Sequence, residues 1–275
     1  MGNLEDITLR ALRLLREADV ILAEDTRRTG ILLRHHGIRA KKLLSYHKFN
    51  ERRRIAEVLD LLRSEAVVAV VGDAGTPLLA DPGERLVEAA AKGGLSVVAL
   101  PGAQALLPAL TASGLPVTPF HFEGFLPRRP RGRSGRLSEL ASLPATIVVY
   151  ESPERLVDTL EAARREMGDR RAVVAREISK LHETYHRGTL GSLLAEFEGA
   201  PPKGECVLII EGLPAGVAGE EEKRREMSQW VKRKILAGES PARIRKEASA
   251  AGYSKNAAYR LAIGQQTDGK EGPKE

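Results

Sequence analysis

Short apolar runs closed by glycine, proline or charged residues alternate with stretches of helical spacing from Asp19 to Gly212. That rhythm leaves few folds open. Asp19-Val20-Ile21-Leu22-Ala23 ends in Glu24-Asp25-Thr26-Arg27, Ala66–Val71 ends in Gly72-Asp73, and Leu95–Leu100 ends in Pro101-Gly102. Runs that are apolar throughout, rather than at every second position, mark strands buried on both faces. Between them, Glu84–Lys92 places Leu86, Val87, Ala90 and Ala91 on one side, and Ala103–Ala112 is small and apolar. The pattern predicts an α/β domain with helices covering a mostly parallel sheet.

A second block follows a break at Leu115-Pro116-Val117-Thr118-Pro119. Phe120–Leu126 reads as extended, Thr146–Tyr150 as a strand ending at Glu151-Ser152-Pro153, and 154–167 as a helix. Ala172–Ala175 is a strand leading into Arg176-Glu177. His186–Gly188 is a short strand or a turn, 190–197 a helix, and Cys206–Ile210 the last strand. Beyond Pro214-Ala215-Gly216 the spacing changes again. Residues 220–236 read as one helix, Ser240-Pro241 opens a second, and Ser254 caps a third after the Ala251-Gly252-Tyr253 turn. Helix, glycine turn and capped helix resemble a small helix-turn-helix. The expected organisation is therefore an α/β domain over 1–117, a second over 118–214, a helical appendage over 220–265 and a disordered tail over 266–275.

Composition narrows the partners. The single cysteine, Cys206, rules out a disulfide within the chain and a zinc site built on paired cysteines, and it fits a cytoplasmic home. The six histidines show no metal-binding spacing, so no metal is expected. No apolar run approaches membrane-spanning length, and the opening Met1-Gly2-Asn3-Leu4-Glu5-Asp6 lacks the features of a signal peptide. The net charge of +6 is uneven: 220–265 holds 11 Lys and Arg against 6 acidic residues, and Arg128, Arg129, Arg131, Arg133 and Arg136 fall within nine positions. Such clusters suit a phosphate backbone or form a solvated, flexible basic loop.

Ligands of open α/β sheets lie beyond the carboxyl ends of the strands. Gly72-Asp73-Ala74-Gly75-Thr76-Pro77 and Pro101-Gly102 occupy two such positions; each is either a binding loop or a tight turn. Glu24-Asp25-Thr26-Arg27, and Arg176-Glu177 with Lys180 and Glu183, are either helix caps with ion pairs or parts of a site. No GxGxxG or Walker pattern occurs.

Taken in order, Gly2–Leu12, Ala23–Arg27, Asp73–Pro77, Asp81-Pro82-Gly83, Leu100-Pro101-Gly102, Glu123–Pro127, Tyr150-Glu151-Ser152 and Ala175-Arg176-Glu177 with Lys180 resemble the ribosomal RNA small-subunit methyltransferase I family of the tetrapyrrole methylase superfamily. Gly252–Arg260 is similar to that family's small helical RNA-binding appendage. The resemblance implies two facing α/β domains with S-adenosyl-L-methionine in the cleft, a homodimer, and 2′-O-methylation of a cytidine in the decoding region of 16S rRNA. It implies cofactor contacts at Asp73, Ala74, Gly75 and Thr76, at Pro101, Gly102, Ala103, Gln104 and Ala105, at Tyr150 and Glu151, and at Cys206, Val207 and Leu208. Catalytic candidates are Glu24, Asp25, Arg27, Glu177 and Lys180; Arg128, Arg129, Arg131, Arg133, Arg136, Lys255 and Arg260 are expected to hold RNA. Family members begin with a strand leading into Pro-Thr-Pro-Ile, where this chain has Met1, so its neighbouring strands are expected to carry unpaired backbone groups. Two other readings use the same features. A corrinoid-precursor methylase would not need the basic residues, and a non-enzymatic nucleic-acid-binding protein would not bind the cofactor.

Overall fold

The computed structural model describes residues 2–200 and 202–268. Three parallel strands, β1 (Val20–Ala23), β2 (Leu43–Ser45) and β3 (Val68–Val71), form the first sheet in the order β2-β1-β3. Its helices are α1 (Leu9–Glu17), α2 (Thr26–His35), α3 (Glu51–Arg63), α4 (Glu84–Lys92) and α5 (Leu106–Thr111). The all-apolar β1 serves two cores. Ile21 packs with Leu15, Leu33 and Ile38 on one face, while Val20 and Leu22 pack with Tyr46, Val58 and Leu86 on the other. Thr8 caps α1 by accepting from the Ala11 N–H, and Asp25 caps α2 by accepting from the Arg27 N–H.

The strand expected at Leu95–Leu100 is not formed. β3 pairs with β1 alone, the 95–100 segment joins no ladder among the described residues, and Val97 and Val98 stand 48% and 73% exposed. A strand exists only against a partner, so apolar composition alone does not make one.

The second sheet is built from β4 (Phe120–Phe125), β5 (Thr146–Glu151), β6 (Arg171–Arg176), β7 (Thr184–Thr189) and β8 (Cys206–Ile210), in the order β4-β5-β8-β6-β7. Only β4 and β5 run parallel; the other three pairs are antiparallel. The parallel rule therefore stops at the first sheet, because the short link from β6 to β7 allows only a hairpin. Three helices accompany this sheet: α6 (Pro130–Leu140), α7 (Pro153–Met167) and α8 (Leu190–Gly199). β8 lies at the centre with all five residues buried. The arginine-rich stretch expected as a flexible loop is instead the start of α6, with Pro130 in its first turn.

α5, from the first block, packs Leu106, Ala109 and Leu110 onto Val148, Val173, Val207 and Ile209 of the second sheet. The two blocks accordingly share one compact unit that ends at Glu211. A second unit comprises Ser142–Pro144 and the chain from Gly212 onward. In it, α9 (Ala215–Leu236), α10 (Pro241–Ala248) and α11 (Lys255–Asp268) bury Met227, Val231, Ile244, Ala248, Ala258 and Ala262 together. Ser240 caps α10 through the Arg243 N–H, and Ser254 accepts from the Ala257 N–H at the start of α11. Of the tail expected over 266–275, 266–268 continue α11 and the rest lies outside the described residues.

Candidate active site

The carboxyl ends of β1 and β3 bring four acidic side chains together. The Asp25 N–H donates to Asp73 Oδ1 at 2.9 Å and the Asp73 N–H donates to Glu24 Oε2 at 3.2 Å, so the two loops are laced to each other. Arg28 lies 3.7 Å from Asp73. The Arg27 side chain and N–H hold the Asp25 carboxyl well below the usual range. Asp81 returns to the same place, its carboxylate against Gly72. Burial, then the charges of Glu24 and Asp73, push its pKa up to about 6. The turn between Gly72 and Gly83 is tightly wound, with Leu78 and Ala80 both in the left-handed region.

The loops expected to hold cofactor meet. Thr76 Oγ1 donates to the Ala103 carbonyl at 3.2 Å, and Gly75, at φ +80°, lies so close that an added Cβ would come within 3.4 Å of the same oxygen. Gln104 Oε1 is buried without a donor among the described residues. Tyr150 stacks edge-on against Phe122 and Phe125. Burial pushes the Tyr150 phenol up, opposed by the Leu106 N–H and reinforced by the Asp81 charge. Gly124 lies opposite Ala80, whose Cβ would be 3.9 Å from one built on the glycine. Gly75 and Thr76 thus meet Ala103 and Gln104, while Tyr150 and Val207 pack with α5 in the shared core.

Other residues named from the sequence are committed elsewhere. Glu151 is 2% exposed and accepts from Thr159 Oγ1 at 2.8 Å and the Ser152 N–H at 2.9 Å, with Arg155 at 3.3 Å; its carboxylate anchors α7. Cys206 is buried and its thiol is pushed up to about 11 by that burial, so it is not a thiolate at neutral pH.

Glu177 and Lys180 form a separate group, with no hydrogen bond or ion pair to Glu24, Asp25 or Arg27 among the described residues. Lys180 Nζ donates to Glu177 Oε1 at 2.9 Å and Glu205 Oε2 at 3.1 Å. Burial works against its charge, but the two carboxylates outweigh it and raise the pKa. Glu177 and Ser179 are both at positive φ. Ser179 donates to Asp6 and accepts from Asn3, so the 177–183 loop is fastened to the start of the chain.

Of the basic residues, Arg128, Arg129 and Arg131 are exposed. Arg133 is buried, reaching Asp158 at 3.2 Å, and Arg136 bridges Glu123 and Glu139. Arg133 is thus held inside the fold, and Arg136 is half-exposed and occupied by two carboxylates. Lys255 and Arg260 are exposed on α11, and Arg260 Nε donates to the Asn256 carbonyl. Asp81 is the site residue that sequence reasoning passes over; the available signal is a carboxylate just before Pro-Gly in a loop after a parallel strand. Among the described residues no group of three or more His, Cys, Asp or Glu is arranged to hold a metal, and no helix is long and apolar enough to cross a membrane.

A family model for the Tetrapyrrole (Corrin/Porphyrin) Methylases matches residues 1–194. Ribosomal RNA small subunit methyltransferase I of Streptococcus pyogenes serotype M1 is 44% identical over 241 residues, 88% of this chain and 84% of that protein. The protein of the same name from Escherichia coli O157:H7 is 42% identical over 273 residues, 97% and 93% of the two chains. The chain belongs to the ribosomal RNA small subunit methyltransferase I family. Within the wider tetrapyrrole methylase fold, diphthine synthase superposes with a TM-score of 0.60 at 16% identity, covering 79% of this chain and 89% of that one. Uroporphyrin-III C-methyl transferase from Thermus thermophilus, complexed with S-adenyl homocysteine, does so with 0.53 at 24%, covering 75% and 91%.

Proposed function

We propose that this chain transfers the methyl group of S-adenosyl-L-methionine to the 2′-hydroxyl of a cytidine ribose in the decoding region of 16S rRNA, acting on the small ribosomal subunit as a cytoplasmic homodimer. The observation that carries the reading is identity of 42–44% along nearly the whole length of relatives bearing that family name. The cleft supports it. The unpartnered Gln104 Oε1 offers an acceptor to an amino group, and the acidic set of Glu24, Asp73 and Asp81 suits a ligand carrying sulfonium and ammonium charges. Asp73–Thr76, Pro101–Ala105, Tyr150 and the backbone of Cys206–Leu208 would hold it; the Glu151 and Cys206 side chains contribute through packing. The bound cofactor supplies an electrophilic methyl on a good leaving group.

The protein's share of the work is alignment, exclusion of water and help for a weak hydroxyl nucleophile. Lys180 stays protonated at neutral pH, so it suits stabilising a developing alkoxide rather than taking a proton. Asp25, bound by Arg27, is a poor base, which leaves Glu24 the stronger carboxylate candidate at the first strand. Arg128, Arg129, Arg131, Lys255 and Arg260 would hold phosphates. The test is transfer of labelled methyl from S-adenosyl-L-methionine to unmethylated small subunits, followed by mapping of the modified nucleotide. Label on a decoding-region ribose is expected. Transfer to a tetrapyrrole with none to subunits would overturn the reading.

A further inference from the structure

The loop after β2 has no part in the site described above, yet it opens from the same edge. β1, β2 and β3 are parallel, so the loops that follow them leave the sheet on one side. The β2 loop is also bonded to the turn that carries Asp81. Glu51 Oε1 accepts from both Tyr46 Oη at 3.1 Å and the Gly83 N–H at 3.2 Å. The loop is stiff. Asn50 accepts from the His47 N–H at 2.8 Å and donates to the Ser45 carbonyl at 3.0 Å, and Tyr46 is buried beneath it.

At the tip of this braced loop Phe49 is 94% exposed, its ring edge-on to His47. A fixed loop holding a phenyl ring in water wastes hydrophobic surface unless something covers it. The neighbours define what would. Lys48 precedes Phe49 and Arg52 follows three positions on, both exposed and without a hydrogen bond or ion pair among the described residues, and Arg53 is exposed one position further on. An exposed aromatic ring with unpaired cations close by in the chain has the chemistry to stack a nucleobase while holding the adjoining phosphates.

We propose that Phe49, with Lys48 and Arg52, is a stacking platform for an unpaired base of the RNA substrate, beside the methyl-transfer cleft. This rests on the rRNA reading given above. It assigns the β2 loop to presenting the substrate strand to the cleft, separately from the phosphate contacts of α6 and the helical unit.

The test compares Phe49→Ala, Phe49→Tyr and a Lys48→Ala/Arg52→Ala pair with the unaltered full chain. Retention of labelled unmethylated small subunits on the resin-bound full chain is read without methyl transfer, beside KM and kcat for the same subunits. Thermal unfolding and S-adenosyl-L-methionine affinity by calorimetry serve as controls. Phe49→Ala is expected to weaken subunit binding and raise KM roughly 5- to 150-fold, with Tm and cofactor affinity unchanged. Phe49→Tyr should restore most of the loss. The paired variant should flatten the salt dependence by about 0.7 for each phosphate no longer neutralised. Binding and KM untouched by Phe49→Ala would overturn this inference alone. Failure of the unaltered chain to retain subunits would overturn it together with the rRNA reading. Conversion of a dimer to a monomer by Phe49→Ala in sedimentation would make the ring a contact between copies of this chain and overturn the platform.

Discussion

Asp81 carries a pKa near 6 because it is buried beside Glu24 and Asp73. Its folded value lies above the unfolded one, so the protonated form stabilises the fold at low pH, and that contribution is lost as pH rises from about 4 through about 6. Asp81→Asn should therefore match the unaltered protein's Tm near pH 4 and exceed it at pH 8, as thermal scans at the two pH values would show. Cofactor binding should run the other way, tightening as pH rises through 6, because ionised Asp81 favours a cationic ligand. Glu151 is a different kind of carboxylate, buried and held by Thr159, the Ser152 N–H and Arg155. Its replacement by alanine leaves Arg155 and Thr159 without their partner, and should cost ~2–4 kcal/mol in urea denaturation. Both residues are visible in the chain, but their difference is not. Two carboxylates that each follow a strand read alike in sequence, and only burial and neighbours separate a cleft residue from an anchor.

Single elements are the most legible level. Strands β1, β5, β6 and β8 fall within one or two residues of their apolar runs, because a strand buried on both faces has no polar position to blur its limits. The run at 95–100 has the same composition and forms no ladder, since pairing depends on a partner distant in sequence. α6 is hidden by its charge. Five arginines suggest a solvated loop, yet Arg133 turns inward to Asp158 and leaves Arg128, Arg129 and Arg131 facing water. Alanine at those three should reduce the salt dependence of subunit binding by up to about 0.7–0.9 for each phosphate they neutralise, whereas Arg133→Ala should lower stability and leave the slope in place. The 177–183 loop gives a sharper test. Gly204, at φ +81°, faces the Glu177 carboxylate so closely that an added Cβ would overlap it. Gly204→Ala should cost about 1–3 kcal/mol in denaturation and displace Lys180, lowering methyl transfer more than cofactor binding.

At the scale of the whole molecule, the two-block rhythm and the helical appendage are legible in the spacing, whereas the joining of the blocks is not. α5 is a six-residue helix whose apolar face belongs to the neighbouring sheet, a fact no local pattern encodes. The helical unit has its own buried core. Val231→Asp, which places a charge in that core, should abolish subunit binding while leaving calorimetric cofactor affinity intact; loss of both would show that the α/β unit depends on it.

β8 is the last strand of the α/β unit to leave the ribosome and the middle strand of its sheet. Until Cys206–Ile210 emerge, β4-β5 and β6-β7 are two separate ribbons, and α5 lacks the Val207 and Ile209 surface on which it rests. The second sheet is thus completed late, by insertion, and nascent chains stalled before Cys206 should remain protease-sensitive where those stalled well beyond Gly212 are resistant. A protein whose substrate is proposed to be part of the ribosome would, by the order of its own strands, be inert until β8 has left the one that makes it.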